Sequence, residues 1–452
     1  MNEEWLATPK HSSAKRIAIV LIVLGVSLLV LFRVGIRAEG PKDISWFLTI
    51  VGIQTLLYLA AAWLVLRKRD SRPLLIIALV FAALLRLSIL FSPPYLSDDI
   101  YRYIWDGRVQ AAGINPYRYI PADDALKNLR DEKIYPKINR RDYAHTIYPP
   151  VAEAIYFLTT RISESVTWMK ATMIGFEAIA VWAIAQLLAS FGLPRQRILI
   201  YAWHPLAVWE FAGNGHVDPL AFVFIALALL ARRRNWETTT GVALGLATLS
   251  KLFPIVLLPA LYKRWGWKMP VALVVTIVAG YLPYIGVGPL GVLGFIPGYA
   301  QERGIVSGEQ FFILGLADRL FDVQLPNALF LSFAGVVLLA LALWCVFKRQ
   351  DDDRDYLKRS LLLGTAFMVL LAPHFPWYFA WLILFLCFVP LVPVLYLTLS
   401  SFLLYLTWVY WADTQVFRIK ALIFVPFFLF LALAIWRRRG NMLSADCAER
   451  TK

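Results

Sequence analysis

Residues Pro73–Val109 read PLLIIALVFAALLRLSILFSPPYLSDDIYRYIWDGRV. Up to Phe91 the run is apolar apart from Arg86 and Ser88, close to the roughly 20 residues a bilayer-spanning helix needs. Two adjacent carboxylates, Asp98 and Asp99, stand where that helix would leave the hydrocarbon, and an ionised pair there is costly enough to point to function. The period then changes. Tyr101, Ile104, Trp105 and Val109 fall at i, i+3, i+4 and i+8, which predicts a helix over Asp99–Ala112, lying at the membrane surface, capped by Ser97 and stopped by Gly113. A simpler reading of the two carboxylates is a helix N-terminal turn, where Asp is favoured by capping and by the helix dipole.

Outward from this stretch the same apolar signal recurs. Runs occur at Ile17–Phe32, Ile44–Leu66, Val166–Ala189, Met269–Val287, Pro326–Phe347, Ser360–Ala372, Trp377–Val389, Leu391–Trp411 and Ala421–Trp436. Between Ile198 and Tyr262 the segments are shorter and interrupted by Pro205, Pro219, Pro254 and Pro259, which predicts two hairpins of short or broken helices packed inside protein. The sum is an all-α polytopic membrane protein of about 14 helical passes, an estimate resting on the hydropathy of spanning segments. With 60% hydrophobic residues, the 452-residue chain is no ordinary soluble globule, for which roughly 45–50% is usual. Three scattered cysteines, Cys345, Cys387 and Cys447, offer neither a disulfide framework nor a CxxC site. The run after Lys15 and Arg16 lacks a small-residue cleavage site and reads as an uncleaved first helix.

Charge orients the bundle. The net +15 comes from 45 Lys and Arg against 30 Asp and Glu. Alternating helices from a cytoplasmic N terminus gathers Arg67-Lys68-Arg69, Arg195, Arg197, Arg232-Arg233-Arg234, Lys263-Arg264, Lys348-Arg349 and Arg437-Arg438-Arg439 on one side, together with the solvated run Asp351-Asp352-Asp353. Those segments hold 25 basic and 10 acidic residues, the whole excess, so they are read as cytoplasmic and the charge as a topology signal. The basic residues are scattered over short loops, so nucleic-acid binding is set aside. The resulting organisation is a tail and three helices (1–92), an outer loop with interfacial helices (93–165), a multi-helix core (166–436) with a second outer loop (288–324), and a cytoplasmic tail (437–452).

The stretch Ser97–Pro150 is too long for a passive connector and too aromatic for disorder. Asn115-Pro116-Tyr117 and Tyr148-Pro149-Pro150 are turn signals, and Val151–Leu158 predicts a second short interfacial helix. Carboxylates, guanidinium groups and rings together suit a sugar, whose C–H face stacks on rings while its hydroxyls meet charged partners. Arg102, Trp105, Arg108, Asn115, Tyr117 and Tyr148 are therefore candidate substrate contacts.

At this point the motifs SDDIYRYIWDGRVQAAGINPYRY, TIYPPVAE, HPLAVWEFAGNGHVDPL, TLSKLFPIVLLPAL and HFPWYFAWLILF, in that order between Arg86 and Trp381, are informative. They resemble the GT-C class of membrane glycosyltransferases and, more narrowly, the bacterial polyprenyl-phosphate-mannose-dependent mannosyltransferases and their GT87-like relatives. The resemblance implies a lipid-linked sugar donor, a glycan or glycolipid acceptor, a surrounding membrane lipid, inversion at the anomeric carbon, and one Asp of the first outer loop as base. That role falls on Asp98 or Asp99, with Asp99 favoured slightly. The transferred hexose is expected to be mannose because the similar proteins use it. A monophosphate donor makes little demand for a metal, so neither metal nor cofactor is expected.

Further polar residues fall at the same side. Glu210, Asn214, His216 and Asp218 cluster at the end of one broken helix, as hydroxyl-binding residues, as a solvated turn, or less well as a His216–Asp218 metal pair. Lys251 lies among apolar residues and suits a lipid phosphate, or else an ion pair with Glu177 or Glu210. Arg86 and Glu177 could pair with each other. Arg303, with Glu302 and Glu309, could cover the donor headgroup, and Gly298, Gly304 and Gly308 would let that loop move. His374 suits sugar or phosphate, beside Trp377 and Tyr378, which an aromatic interfacial belt also explains. The competing class is a transporter or lipid-linked sugar flippase without transferase chemistry, for which paired broken helices in two repeats would be expected and are not found.

Overall fold

The structure is a computed structural model that describes residues 11–36, 43–410 and 412–450. The tails at 1–10 and 451–452, Trp411, and the side chains of Arg438, Arg439 and Cys447 lie outside the described residues. Every regular element among the described residues is a helix. Among the described residues, seven helices are long and apolar enough to cross a membrane: Lys15–Gly35, Ile44–Leu66, Arg72–Leu90, Val166–Ser190, Lys268–Val287, Asn327–Phe347 and Thr414–Arg437. Shorter helices at Asp218–Arg233, Glu237–Ser250 and Asp355–Leu371, and the apolar segments Pro376–Leu386 and Val392–Trp408, fill in between them. The chain is an all-α polytopic membrane protein. We label the first six α-helices α1 (His11–Gly35), α2 (Ile44–Leu66), α3 (Arg72–Leu90), α4 (Asp99–Ala111), α5 (Pro150–Thr160) and α6 (Val166–Ser190).

The broken region sits where its backbone needs it to be. Every residue from Ile198 to Val223 is buried, although this stretch is only Leu199–Ala202, Pro205–Ala207 and a π-helical turn, Val208–Gly213, before the Asp218 helix starts. Non-helical backbone at membrane depth is tolerated only inside protein. Side chains supply the missing partners: His204 Nδ1 accepts the Leu206 N–H at 3.2 Å across the break at Pro205, and its Nε2 lies 3.1 Å from Thr398 Oγ1. Conversely, the Lys268–Val287 and Asn327–Phe347 helices keep most of their apolar surface exposed, as lipid-facing helices do.

Between α3 and α6 runs one buried ion pair. Arg86 Nε donates to Glu177 Oε2 at 2.7 Å, and a second guanidinium nitrogen reaches Glu177 Oε1. Arg86 Nη1 donates to the carbonyls of Ala82 and Ala202, at 3.0 and 2.7 Å, while the Tyr201 hydroxyl donates to Glu177 at 3.0 Å. Each charge is thus paired and further hydrogen-bonded, the condition under which burial is tolerable.

The segment between α3 and α6 forms its own small core. Ile104, Trp105 and Val109 of α4 are buried against Leu126, Ile134 and Ile138, and Tyr103 stacks on Tyr156 of α5 with centroids 4.6 Å apart. The apolar side of α4 packs on protein, with a long aromatic loop folded back over it. Gly107 permits the crossing, since a Cβ there would lie 2.5 Å from the Tyr156 carbonyl oxygen. Asp98 occupies the position before the helix, and the Ser97 hydroxyl accepts the Asp99 N–H at 3.3 Å. Beneath α4, Arg102 Nε donates to Asp106 Oδ1 at 2.7 Å, and Glu153 accepts from Thr146 Oγ1 at 2.7 Å and Gln110 Nε2 at 2.9 Å. Burial, and after it the charge of Asp106, holds the Glu153 carboxyl well above the usual carboxylate range.

Two outcomes follow. Replacing Arg86 alone by Leu should cost about 3–5 kcal/mol because Glu177 is left charged and buried, whereas Arg86→Leu with Glu177→Leu should recover most of the loss; thermal midpoints in detergent measure both. Glu153→Gln should hold the midpoint near neutral pH. A carboxyl raised in the folded state contributes stability below its unfolded pKa and loses it as pH rises through the folded one, so the variant should also lack the wild type's loss of stability with rising pH.

Candidate active site

The exit from α3 is fixed by two side chains. Lys170 of α6, 0% exposed, donates from Nζ to the carbonyls of Ile89 and Ser92 at 2.9 Å each. Asn214, at the end of the π-helical turn, accepts the backbone N–H of Leu96 at 2.9 Å and of Tyr95 at 3.2 Å. What these contacts hold still is the start of α4, where Asn139 Nδ2 donates to Asp98 Oδ1 at 2.8 Å and to Asp99 Oδ1 at 2.7 Å. One amide thus tethers both carboxylates. Asp98 reaches solvent, yet desolvation by the surrounding wall raises its carboxyl above the ordinary value against the pull of Asn139, and the neighbouring Asp99 charge adds to the rise.

The carboxylates line a cavity of about 330 Å³. Its remaining wall comes from segments far apart in sequence: Asn139, Arg140, Tyr143 and Tyr148 of the long loop; His216; Lys251; Tyr299 and Arg303; and Phe375, Trp377, Tyr378 and Trp408. The imidazole of His216 stacks on Trp377 with centroids 4.1 Å apart, and Trp377 stacks on Phe375 at 4.4 Å. Lys251 Nζ lies 2.7 and 2.8 Å from the two oxygens of Asp218 and 4.9 Å from the Tyr378 ring centre. The Arg303 guanidinium lies 5.1 Å from the Tyr299 ring centre and 4.5 Å from that of Phe375, and it has no side-chain hydrogen bond or ion pair among the described residues. A cation sandwiched by rings keeps its in-plane N–H donors free for an anion. Arg140 and Tyr143 close one rim, each 2.7 Å from Glu302. Burial would raise Glu302, but the hydrogen bonds from Tyr143 and Arg140 outweigh it and hold it below its ordinary value, so the clasp is ionic.

Of the candidates read from sequence, the cavity brings together Asp98, Asp99, Tyr148, His216, Lys251, Arg303, Trp377 and Tyr378. The others lie behind or beside it. Arg102 is buried on Asp106 and on the Ala144 carbonyl (3.1 Å), and Trp105 is in the loop core. Arg108 is engaged by Glu164 at 2.7 Å and Asp131 at 2.9 Å, and Asn115 donates to the Tyr284 carbonyl. Tyr117 donates to the Tyr148 carbonyl at 2.6 Å, Glu210 is 0% exposed, and Asn214 donates to Glu210 Oε2 at 2.9 Å. Asp218 is the partner of Lys251, where Glu177 or Glu210 had been considered. His374 Nε2 lies 3.2 Å from the Arg303 carbonyl oxygen, and burial pushes its imidazole down to about 3, so it is neutral. Among the described residues no group of three or more His, Cys, Asp or Glu is placed to hold a metal ion.

Sequence reasoning passed over Tyr103, Asn139, Arg140, Tyr143, Tyr299, Phe375 and Trp408. Asn139 and Arg140 sit in an irregular part of the long loop where no period marks a direction, although the positive φ of Arg140 (54°) fits a tight turn in INRRD.

With this geometry in view, similarity to known proteins becomes interpretable. A family model described as alpha-(1->6)-mannopyranosyltransferase, N-terminal domain, matches residues 35–267, from the end of α1 past Lys251. Alpha-(1->6)-mannopyranosyltransferase A of Mycobacterium tuberculosis is 24% identical over 327 residues, which is 65% of this chain and 61% of that protein. The chain thus spans less than two thirds of that relative's length. Because the family match covers more than half of the 452 residues and contains the carboxylate pair, the broken buried segment and Lys251, the chain belongs to the MptA_B family.

Proposed function

We propose that this protein is a hexosyltransferase, with mannose as the sugar, that moves the residue from a polyprenyl-phosphate donor to an acceptor hydroxyl on a glycan or glycolipid. One observation carries the reading: a single cavity sets the Asp98–Asp99 pair against an unpaired, ring-sandwiched guanidinium, Arg303, with Lys251 beside it. A carboxylate and a free cation across a small aromatic-lined space are what a displacement at a sugar phosphate needs. The family's name supports the choice of mannose. The positive-inside distribution supports cytoplasmic termini and a cavity opening on the outer side, and the resemblance to bacterial mannosyltransferases supports the inner membrane as the setting.

In this scheme the isoprenoid tail lies among the lipid-exposed helices and the sugar phosphate reaches the cavity. The acceptor oxygen attacks the anomeric carbon, the bond to the phosphate oxygen breaks, and configuration inverts. A carboxylate with an ordinary pKa near 4 cannot ionise an alcohol beforehand, but it can take the proton late, as positive charge develops on the sugar. Asp99 is the base and Asp98 its neighbour on the shared Asn139 amide. Asp99 lies deeper, with His216 behind it, whereas Asp98 faces solvent. Arg303 meets the growing charge on the departing phosphate, and such electrostatic stabilisation is usually the largest contribution to catalysis. Lys251, already neutralised by Asp218, orients the headgroup and adds little net charge. The stacked rings of Phe375, Trp377 and Tyr378 offer a face to the sugar's C–H surface.

The decisive experiment is transfer of radiolabelled mannose from synthetic polyprenyl-phosphate mannose in membranes. Asp99→Asn should lower transfer about 10²–10⁴-fold, with a smaller loss for Asp98→Asn. Full activity in both single variants and in the double variant would sink the base assignment. Labelled lipid moving across sealed vesicles with no new glycosidic product would favour a transporter. Arg303→Met should lower kcat about 10²–10³-fold, and Arg303→Lys should restore it only in part, since an ammonium lacks the planar fork that grips two phosphate oxygens. A wild-type kcat in Arg303→Met would remove it from the phosphate site.

A further inference from the structure

We propose that His216 and Glu210 are positioning residues for Asp99, and that the proton lost by the acceptor comes to rest on the His216 imidazole. This rests on the reading of Asp99 as base.

The geometry is a line of three groups leading away from the cavity. Asp99 Oδ2 lies 3.7 Å from His216 Nδ1, and His216 Nε2 lies 3.4 Å from Glu210 Oε2. His216 is 2% exposed and Glu210 is 0% exposed. Glu210 is fixed in turn: its Oε1 accepts the Tyr405 hydroxyl at 2.7 Å and its Oε2 the Asn214 amide at 2.9 Å. The backbone is shaped to make this line. The π-helical turn ends with the His216 N–H on the Glu210 carbonyl at 3.0 Å, and Gly215 takes φ +74° where a Cβ would lie 2.4 Å from Ile100 Cδ1. Both nitrogens of His216 face carboxylates, Nε2 without a completed hydrogen bond, and one ring face is covered by Trp377.

In the proposed relay the imidazole carries its hydrogen on Nε2, 3.4 Å from Glu210, and its Nδ1 lone pair lies 3.7 Å from Asp99 Oδ2, a gap that closes when the proton passes. In the transfer step the acceptor O–H bond breaks as its oxygen bonds to the anomeric carbon, and the sugar–phosphate bond electrons leave with the phosphate. The proton passes to Asp99 Oδ2 and on to His216 Nδ1. Asp99 is again a carboxylate, and the imidazolium lies between two negative groups. The relay therefore gives the weak base a deeper sink without a stronger base in the cavity. Lys170, behind Gly215, is engaged by carbonyls, and Lys251 by Asp218, so neither competes for the proton.

The test compares His216→Gln, Glu210→Gln and Asp99→Asn with wild type in detergent. His216→Gln should fold with an unchanged thermal midpoint and lose kcat about 10²-fold or more, with KM for donor and acceptor held within about twofold. His216→Ala should regain at least about tenfold of its lost kcat with added imidazole. A raised acceptor KM with intact kcat would make His216 a substrate contact and overturn the relay. Should the variants fail to fold, single-turnover transfer by wild type in H2O–D2O mixtures still decides: two protons in flight predict a bowed dependence on deuterium fraction, and a linear one overturns the proposal. If Asp99→Asn is inactive while His216→Gln keeps wild-type kcat, the relay alone falls. If Asp99→Asn is fully active, the base assignment falls first.

Discussion

Asn214 joins the parts of this molecule that matter. Its amide oxygen takes the N–H groups of Tyr95 and Leu96 in the linker leading to Asp98 and Asp99, and its amide nitrogen holds Glu210. A residue two positions later carries the imidazole that faces Asp99, and the next helix opens with Asp218, the partner of Lys251. One buried side chain thus sets the distance between the loop that bears the carboxylates and the broken segment that bears the histidine. It can do so because that segment is not a continuous helix. The π-helical turn ends at Gly213, and the chain beyond it leaves the helix so that Asn214 and His216 follow Glu210 on one side of the break.

The helical bundle was largely legible because a bilayer imposes a simple rule. Spanning segments must be long, apolar and self-satisfied, and those from Ile17 to Phe347 declare themselves by composition. Prolines in the buried stretch also declared that it was broken. In the cavity, legibility followed chemistry: Asp98, His216, Lys251 and Arg303 are polar residues at ends of apolar runs, where a bland explanation is least comfortable.

What the chain alone concealed was pairing. Arg102 and Arg108 looked available because their partners come one helical turn away or from distant loops, and such partners turn a candidate ligand into a strut. Asp106, Asp131 and Glu164 absorb these two guanidinium groups. Asn139 posed the opposite difficulty, since a neutral amide in an aperiodic loop carries no pattern, yet it touches both carboxylates. Lys251 lay between these cases: its need for a counter-charge was plain, but Asp218 meets it only after two short segments fold back on each other.

The cavity has walls drawn from two lengths of the chain. The carboxylates, His216 and Lys251 fall within residues 35–267, whereas Tyr299, Arg303, Phe375, Trp377, Tyr378 and Trp408 come from beyond them. The first wall holds the carboxylates and the imidazole, and the second holds the free cation and most of the rings. The two walls also touch: Trp377 stacks on His216, Tyr378 lies beside Lys251, Tyr405 donates to Glu210, and the Arg140–Glu302 clasp closes the rim. The later half of the chain thus brings the free cation and most of the rings to carboxylates set by the earlier half, and a change in either length reaches the other through these shared contacts.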